Sequence, residues 1–189
     1  MLEAGIELLK PIIIGLDPLE NEVIWNQMYR KTLDFARRGT LVASMSAIDI
    51  AIWDLKGKIL GLPVSTLLGG AHRTEVRPYA TGLYFTSHDN PSQEFDEEAQ
   101  KYISQGFKAI KMKVGLGVEE DYKNVKRMRE LIGDDIQLMV DSNHAYNFRE
   151  AVQLAKKLEP LNISWFEEPL SPEFYTQYKE LRSKTSIPI

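Results

Sequence analysis

Apolar residues change their spacing near residue 75. Before that point they recur at helical intervals. Leu2, Ile6 and Leu9 fall on one face of a short helix, which Pro11 is expected to stop. Asp17-Pro18-Leu19-Glu20 reads as a helix start, followed by Ile24, Met28 and Phe35 at helical spacing, with Gly39 as the stop. Met45, Ile48, Ile52, Leu55 and Ile59 form a stripe that steps by three and four, closed by Gly61 and Pro63. No convincing strand occurs in this part.

After Gly69-Gly70, short apolar runs alternate with helical stretches. Strands are expected at 76–81, 107–114, 136–140 and 163–166, and helices at 92–105, 118–132, 148–158 and 173–182. Ile187-Pro188-Ile189 reads as the start of a further strand. Such alternation with short links implies parallel strands and right-handed crossovers, in a doubly wound sheet or in a β/α barrel. No glycine-rich phosphate loop follows any strand; Gly115-Leu116-Gly117 lacks the third glycine. The barrel is favoured because chemically suggestive residues close three successive strands, on the rim where barrel enzymes keep their sites. Residues 76–189 number 114, whereas a whole barrel takes about 250. The expectation is therefore α/β: a partial (β/α)8 TIM barrel of about four β/α units, its first half, with two strand edges exposed.

Composition narrows the class. The chain has 189 residues, 43% hydrophobic and 26% charged, as in ordinary globular proteins. A net charge of −4 argues against a nucleic-acid surface. There is no cysteine, so disulfides and thiolate metal sites are excluded. No apolar run approaches the ~20 residues of a membrane span. Met1-Leu2-Glu3-Ala4-Gly5 does not resemble a signal peptide, so the cytoplasm is the expected compartment.

The three strand ends are Lys111-Met112-Lys113, Asp141-Ser142-Asn143 and Glu167-Glu168-Pro169. Lys111 and Lys113 share a strand face. A strand between helices offers no natural place for solvated lysines, so a functional role is read here. Each ammonium is expected to depress the pKa of the other, with partial burial adding to the effect, and a lysine so tuned can act as a general base. Asp-Ser-Asn taken alone could be a turn and helix cap, and Glu-Glu-Pro alone a solvated loop. Together they place charge at three neighbouring strand ends. Carboxylate oxygens favour Mg²⁺, with Mn²⁺ as the alternative, and no histidine cluster favours zinc. His144 is a candidate for substrate contact or a loop role. Tyr84 and Tyr146 are candidates for the pocket mouth, Trp165 and Phe166 are read as core, and His72 and His88 fall in loops.

These residues resemble the enolase superfamily, in its mandelate racemase/muconate-lactonizing enzyme branch. Ala43-Ser44-Met45-Ser46-Ala47-Ile48-Asp49-Ile50-Ala51-Ile52-Trp53-Asp54-Leu55-Lys56-Gly57-Lys58 is similar to that family's helix signature, with Leu67-Leu68-Gly69-Gly70 just after it. The Lys-x-Lys, Asp-x-Asn and Glu-Glu-Pro motifs follow in the family's order and spacing. The resemblance covers essentially the whole chain and is closest to the mandelate racemase-like members: sugar-acid dehydratases and lactone cycloisomerases.

The resemblance implies an assignment for each residue. Lys113 would be the acid/base catalyst and Lys111 its pKa-tuning neighbour. Asp141 and Glu167 would be metal ligands for Mg²⁺, Asn143 would assist at the substrate, a small-molecule carboxylate, and Glu168 would support the site from nearby. With His144, placed beside Asn143 by the sequence, they make up the expected substrate-binding group. The reaction would begin with removal of the proton α to a carboxylate, giving an enediolate. Dehydratase, racemase and cycloisomerase share that step. Residues 1–75 would be the helical remainder of an incomplete α+β N-terminal capping domain. The family's third metal ligand would lie on the next strand and its opposite-face catalyst later still, so the chain reads as truncated at both ends. The competing expectations are a non-catalytic half-barrel that assembles through its exposed strand edges, or one half of a split enzyme. The partner expected is a second copy, giving a homo-oligomer, or a complementing fragment.

Overall fold

The computed structural model describes residues 1–84 and 91–189; His88 lies outside the described residues. The chain divides into two compact units, Met1–Glu75 and Val76–Ile189.

The first unit is helical. Helices α1 (Leu2–Ile13), α2 (Asn21–Thr32) and α3 (Thr40–Leu60) pack around buried Leu9, Ile24, Met28, Met45 and Ile48, and a short α4 (Val64–Leu67) follows. Pro11 does not stop α1, which runs on to Ile13. A proline in the last turn forfeits one backbone bond, and its fixed φ still suits the helix. Gly39 ends no helix. Helix α2 stops at Thr32, Phe35 is exposed, and Gly39 instead precedes α3 with φ 79°. The α3 stripe is buried only at Met45 and Ile48; Leu55 and Ile59 are exposed. Gly61 closes α3 in the left-handed conformation, its N–H donating to the Gly57 carbonyl.

The second unit is a four-stranded parallel sheet in the order β1 (Ala80–Gly82), β2 (Ala109–Lys113), β3 (Gln137–Asp141), β4 (Ile163–Glu167). Helix α5 (Pro91–Ser104) joins β1 to β2, α6 (Val118–Ile132) joins β2 to β3, and α7 (Phe148–Leu158) with a 3-10 turn (Glu159–Leu161) joins β3 to β4. Helix α8 (Tyr175–Arg182) follows. Each strand therefore lies beside its sequence neighbour, the order of a barrel wall.

Residue alternation divides the sheet. Ile110, Met112, Leu138, Val140 and Phe166 enter the core with Phe95, Val125, Met128 and Leu154 of the helices. Lys111, Lys113, Met139 and Asp141 occupy the alternate positions of β2 and β3. The first strand is shorter than expected: Val76 is exposed and pairing begins at Ala80. Residues 187–189 form no regular strand, although the Phe166 N–H donates to the Pro188 carbonyl at 2.8 Å. Among the described residues no helix is long and apolar enough to cross a membrane.

Local chemistry explains the helix starts. Asn147 caps α7 through a reciprocal pair with Glu150. Asp121 does more than complement the dipole of α6. Fully buried, it accepts hydrogen bonds from the Gly115, Leu116 and Gly117 amides at 3.0, 3.2 and 2.8 Å. It also receives the Tyr146 hydroxyl at 2.5 Å. Tyr146 is thus a buried support beneath the loops rather than a pocket-mouth residue. Burial and then Asp121 push its phenol pKa up.

Candidate active site

Strand register brings the charged residues together. Lys113 stands opposite Asp141, and Asp141 opposite Glu167, so the three occupy one rung at the carboxyl ends of β2, β3 and β4. The Lys113 ammonium lies 2.6 Å from Asp141 Oδ2 and donates to Asn143 Oδ1 at 2.5 Å. Lys111 Nζ lies 2.9 Å from both oxygens of Glu167 and 3.4 Å from Asp141 Oδ2. Two ammonium groups and two carboxylates thus form one charge-balanced cluster, in which Lys111 and Asp141 are buried.

This pairing reverses the expectation for Lys111. Burial works against its ammonium, but the hydrogen bond and charge of Glu167, with the charge of Asp141, outweigh burial, and its pKa is raised. Lys111 is a charge clamp between carboxylates. For Asp141, burial acts upward, yet the Lys113 hydrogen bond, the Asn143 amide and the two lysine charges hold its carboxyl below the usual range.

The loops after β3 and β4 are laced together. The Ser142 N–H donates to Glu167 O, His144 N–H to Glu168 O and Tyr146 N–H to Pro169 O, at 3.1, 2.8 and 3.2 Å. Ser142 Oγ adds a bond to Glu168 O at 2.9 Å. Asn143, His144 and Glu168 all have positive φ, at 43°, 69° and 47°. Three non-glycine residues in the left-handed region need a surrounding structure that holds them there, and such clusters are characteristic of functional loops. Their side chains meet: Asn143 Nδ2 donates to Glu168 Oε2 at 3.1 Å, and His144 Nε2 is 3.5 Å from the same oxygen. His144 Nδ1 is 3.0 Å from the Leu170 carbonyl, which can only accept, so Nδ1 carries the hydrogen.

Three aromatic residues complete the surroundings. Trp165, expected in the core, is only half-buried and donates its indole N–H to Glu167 Oε2 at 3.0 Å. An irregularity in the β3/β4 register explains the difference. Leu138 pairs with Ile163 but Val140 with Phe166, so β4 carries one extra residue, and both Ile163 and Phe166 enter the core while Trp165 does not. Tyr79 packs edge-on against Trp165, and its ring lies 5.6 Å from Lys111 Nζ. Tyr84 lies 5.4 Å from Lys113 Nζ. Tyr79 carried no signal in the sequence beyond its place within the expected strand at 76–81; in the structure it precedes β1.

The donor set suits a hard divalent cation. Asp141 and Glu167 offer carboxylate oxygens, and the Lys111 ammonium already holds positive charge between them. Mg²⁺ commonly takes one or two protein carboxylates and keeps several waters. Among the described residues no group of three or more carboxylate or imidazole side chains assembles to hold an ion.

Comparison with known proteins identifies the lineage. Residues 94–189 match the family described as "Enolase C-terminal domain-like", and residues 3–69 match "Mandelate racemase / muconate lactonizing enzyme, N-terminal domain". The chain belongs to the mandelate racemase/muconate lactonizing enzyme family of the enolase superfamily.

Relatives within this family are sugar-acid dehydratases, cycloisomerases and racemases. The chain is 39% identical to an arabinonate dehydratase of Saccharolobus solfataricus over 184 residues, covering 97% of this chain and 49% of the relative. A 3,6-anhydro-D-galactonate cycloisomerase from Zobellia galactanivorans superimposes with TM-score 0.93 and 53% identity, covering all of this chain and 52% of that one. A racemase from Streptomyces coelicolor solved with bound magnesium superimposes with TM-score 0.87 and 33% identity, over 95% of this chain and 49% of that one. The chain spans about half the length of the relatives it matches.

Proposed function

We propose that this chain carries part of the active site of a Mg²⁺-dependent enzyme that removes the proton α to the carboxylate of a sugar acid or its lactone. The observation that carries the reading is the Lys113–Asp141–Glu167 rung, with Lys111 bridging its two carboxylates. The sugar-acid activities of the relatives support the substrate class.

Asp141 and Glu167 would hold the ion, which when bound supplies positive charge to a substrate carboxylate as its α-carbon loses a proton. Lys113 is the acid/base group. Its side chain is held by Asp141 and Asn143 in the arrangement seen, and as the base it would act as the amine released from Asp141. Asn143, Glu168 and His144 form a connected polar edge beside Lys113, suited to the hydroxyls of a sugar acid. Lys111 keeps the two carboxylates side by side. Dehydration, racemisation and cycloisomerisation all follow from the same first step.

Solvent-deuterium exchange tests the reading. The full encoded protein, incubated with Mg²⁺ and a panel of sugar acids in D₂O, should exchange the α-proton of at least one, by NMR. Lys113→Ala should abolish exchange on one face of the substrate while the protein stays folded. Unchanged exchange in that variant would overturn the assignment.

A further inference from the structure

We propose that Trp165 is a positioning residue for Glu167, locked in place by Tyr79. The inference rests on the reading of Glu167 as a metal ligand.

Trp165 precedes Glu167 by two positions on β4, and the extra residue in that strand keeps it out of the helix-packed core. Its indole N–H is only a donor, and it is spent on Glu167 Oε2 at 3.0 Å. That bond restrains a side chain with three rotatable bonds. Tyr79 in turn fixes the indole: the rings meet edge to face with centroids 5.4 Å apart at 80°. Tyr79 also faces the ammonium of Lys111, which itself holds both oxygens of Glu167. Tyr79, Trp165, Glu167 and Lys111 therefore close a ring of contacts in which the carboxylate is held from two sides. An outer partner that orients a ligating side chain commonly accounts for a ten- to hundredfold difference in metal affinity.

The test is calorimetric Mg²⁺ titration of the full encoded protein and two variants. Trp165→Phe keeps a ring to stack on Tyr79 and removes only the N–H donor. It should weaken Mg²⁺ binding about tenfold while the metal-free protein still unfolds in one cooperative transition; wild-type affinity in this variant overturns the proposal. Glu167→Gln separates the two levels of inference. If it binds Mg²⁺ as tightly as wild type, the ligand reading fails. If it loses binding while Trp165→Phe does not, the ligand reading stands and the positioning role fails. Should Trp165→Phe not fold, the unmodified protein decides by NMR. The Trp165 indole N–H should be protected from exchange and shift on Mg²⁺ addition. A rapidly exchanging, unshifted signal overturns the proposal.

Discussion

Lys111 stands 2.9 Å from both carboxylate oxygens of Glu167, a residue 56 positions later in the chain. The pair is a mainstay of the inner sheet face as well as of the site. Lys111→Met would leave Asp141 and Glu167 adjacent without their shared cation. Breaking a fully buried pair costs roughly 3–5 kcal/mol. Because the Glu167 side chain is 34% exposed, the expected loss is smaller, about 2 kcal/mol. Urea unfolding measures it, and a loss below ~0.5 kcal/mol, the range of ordinary surface substitutions, would show the clamp to be unimportant.

Asp121 is the second structural keystone. Asp121→Ala would strip three loop amides and the Tyr146 hydroxyl of their acceptor, at about 3 kcal/mol in sum after relaxation. Tyr146→Phe removes one donor and should cost about 1 kcal/mol. Chemical unfolding should rank the variants in that order, and amide exchange at 115–117 should quicken in Asp121→Ala. Equal effects would mean that the tyrosine, not the amide cradle, dominates.

Much of this architecture was legible in the sequence. Helices 118–132 and 148–158 lie where apolar spacing puts them. The three charged strand ends were visible because lysine and carboxylate side chains interrupt runs that are otherwise apolar. What escaped notice depends on register. Counting charges along β2 sees two lysines repelling each other. Only pairing with β3 and β4 shows the carboxylates that reverse the effect at Lys111. The added residue in β4 turns Trp165 away from the core, and no local pattern announces it. Asp121 reads as one acid of three at a helix start until the loop folds back over it.

Acid sensitivity should arise away from the site as well as at Asp141, whose carboxyl is also held below the usual range. The Ser186 N–H, at 2.9 Å, and Lys156 hold the Glu159 carboxyl at about 2, below its ordinary 4.5. A carboxyl depressed in the folded state stabilises above its unfolded pKa, and that stabilisation is lost as pH falls through the folded value. The melting-temperature difference between wild type and Glu159→Gln should therefore be constant above pH 5 and shrink towards pH 2. A pH-independent difference would refute the linkage.

The central claim is that Asp141 and Glu167 jointly bind a divalent ion beside Lys113. Anomalous diffraction from crystals of the full encoded protein soaked in Mn²⁺, a spectroscopic substitute for Mg²⁺, tests it most directly. The account predicts one strong peak about 2.0–2.3 Å from an oxygen of each carboxylate, with the lysine ammonium groups still lining the site. A peak elsewhere, or none at saturating Mn²⁺, would contradict it.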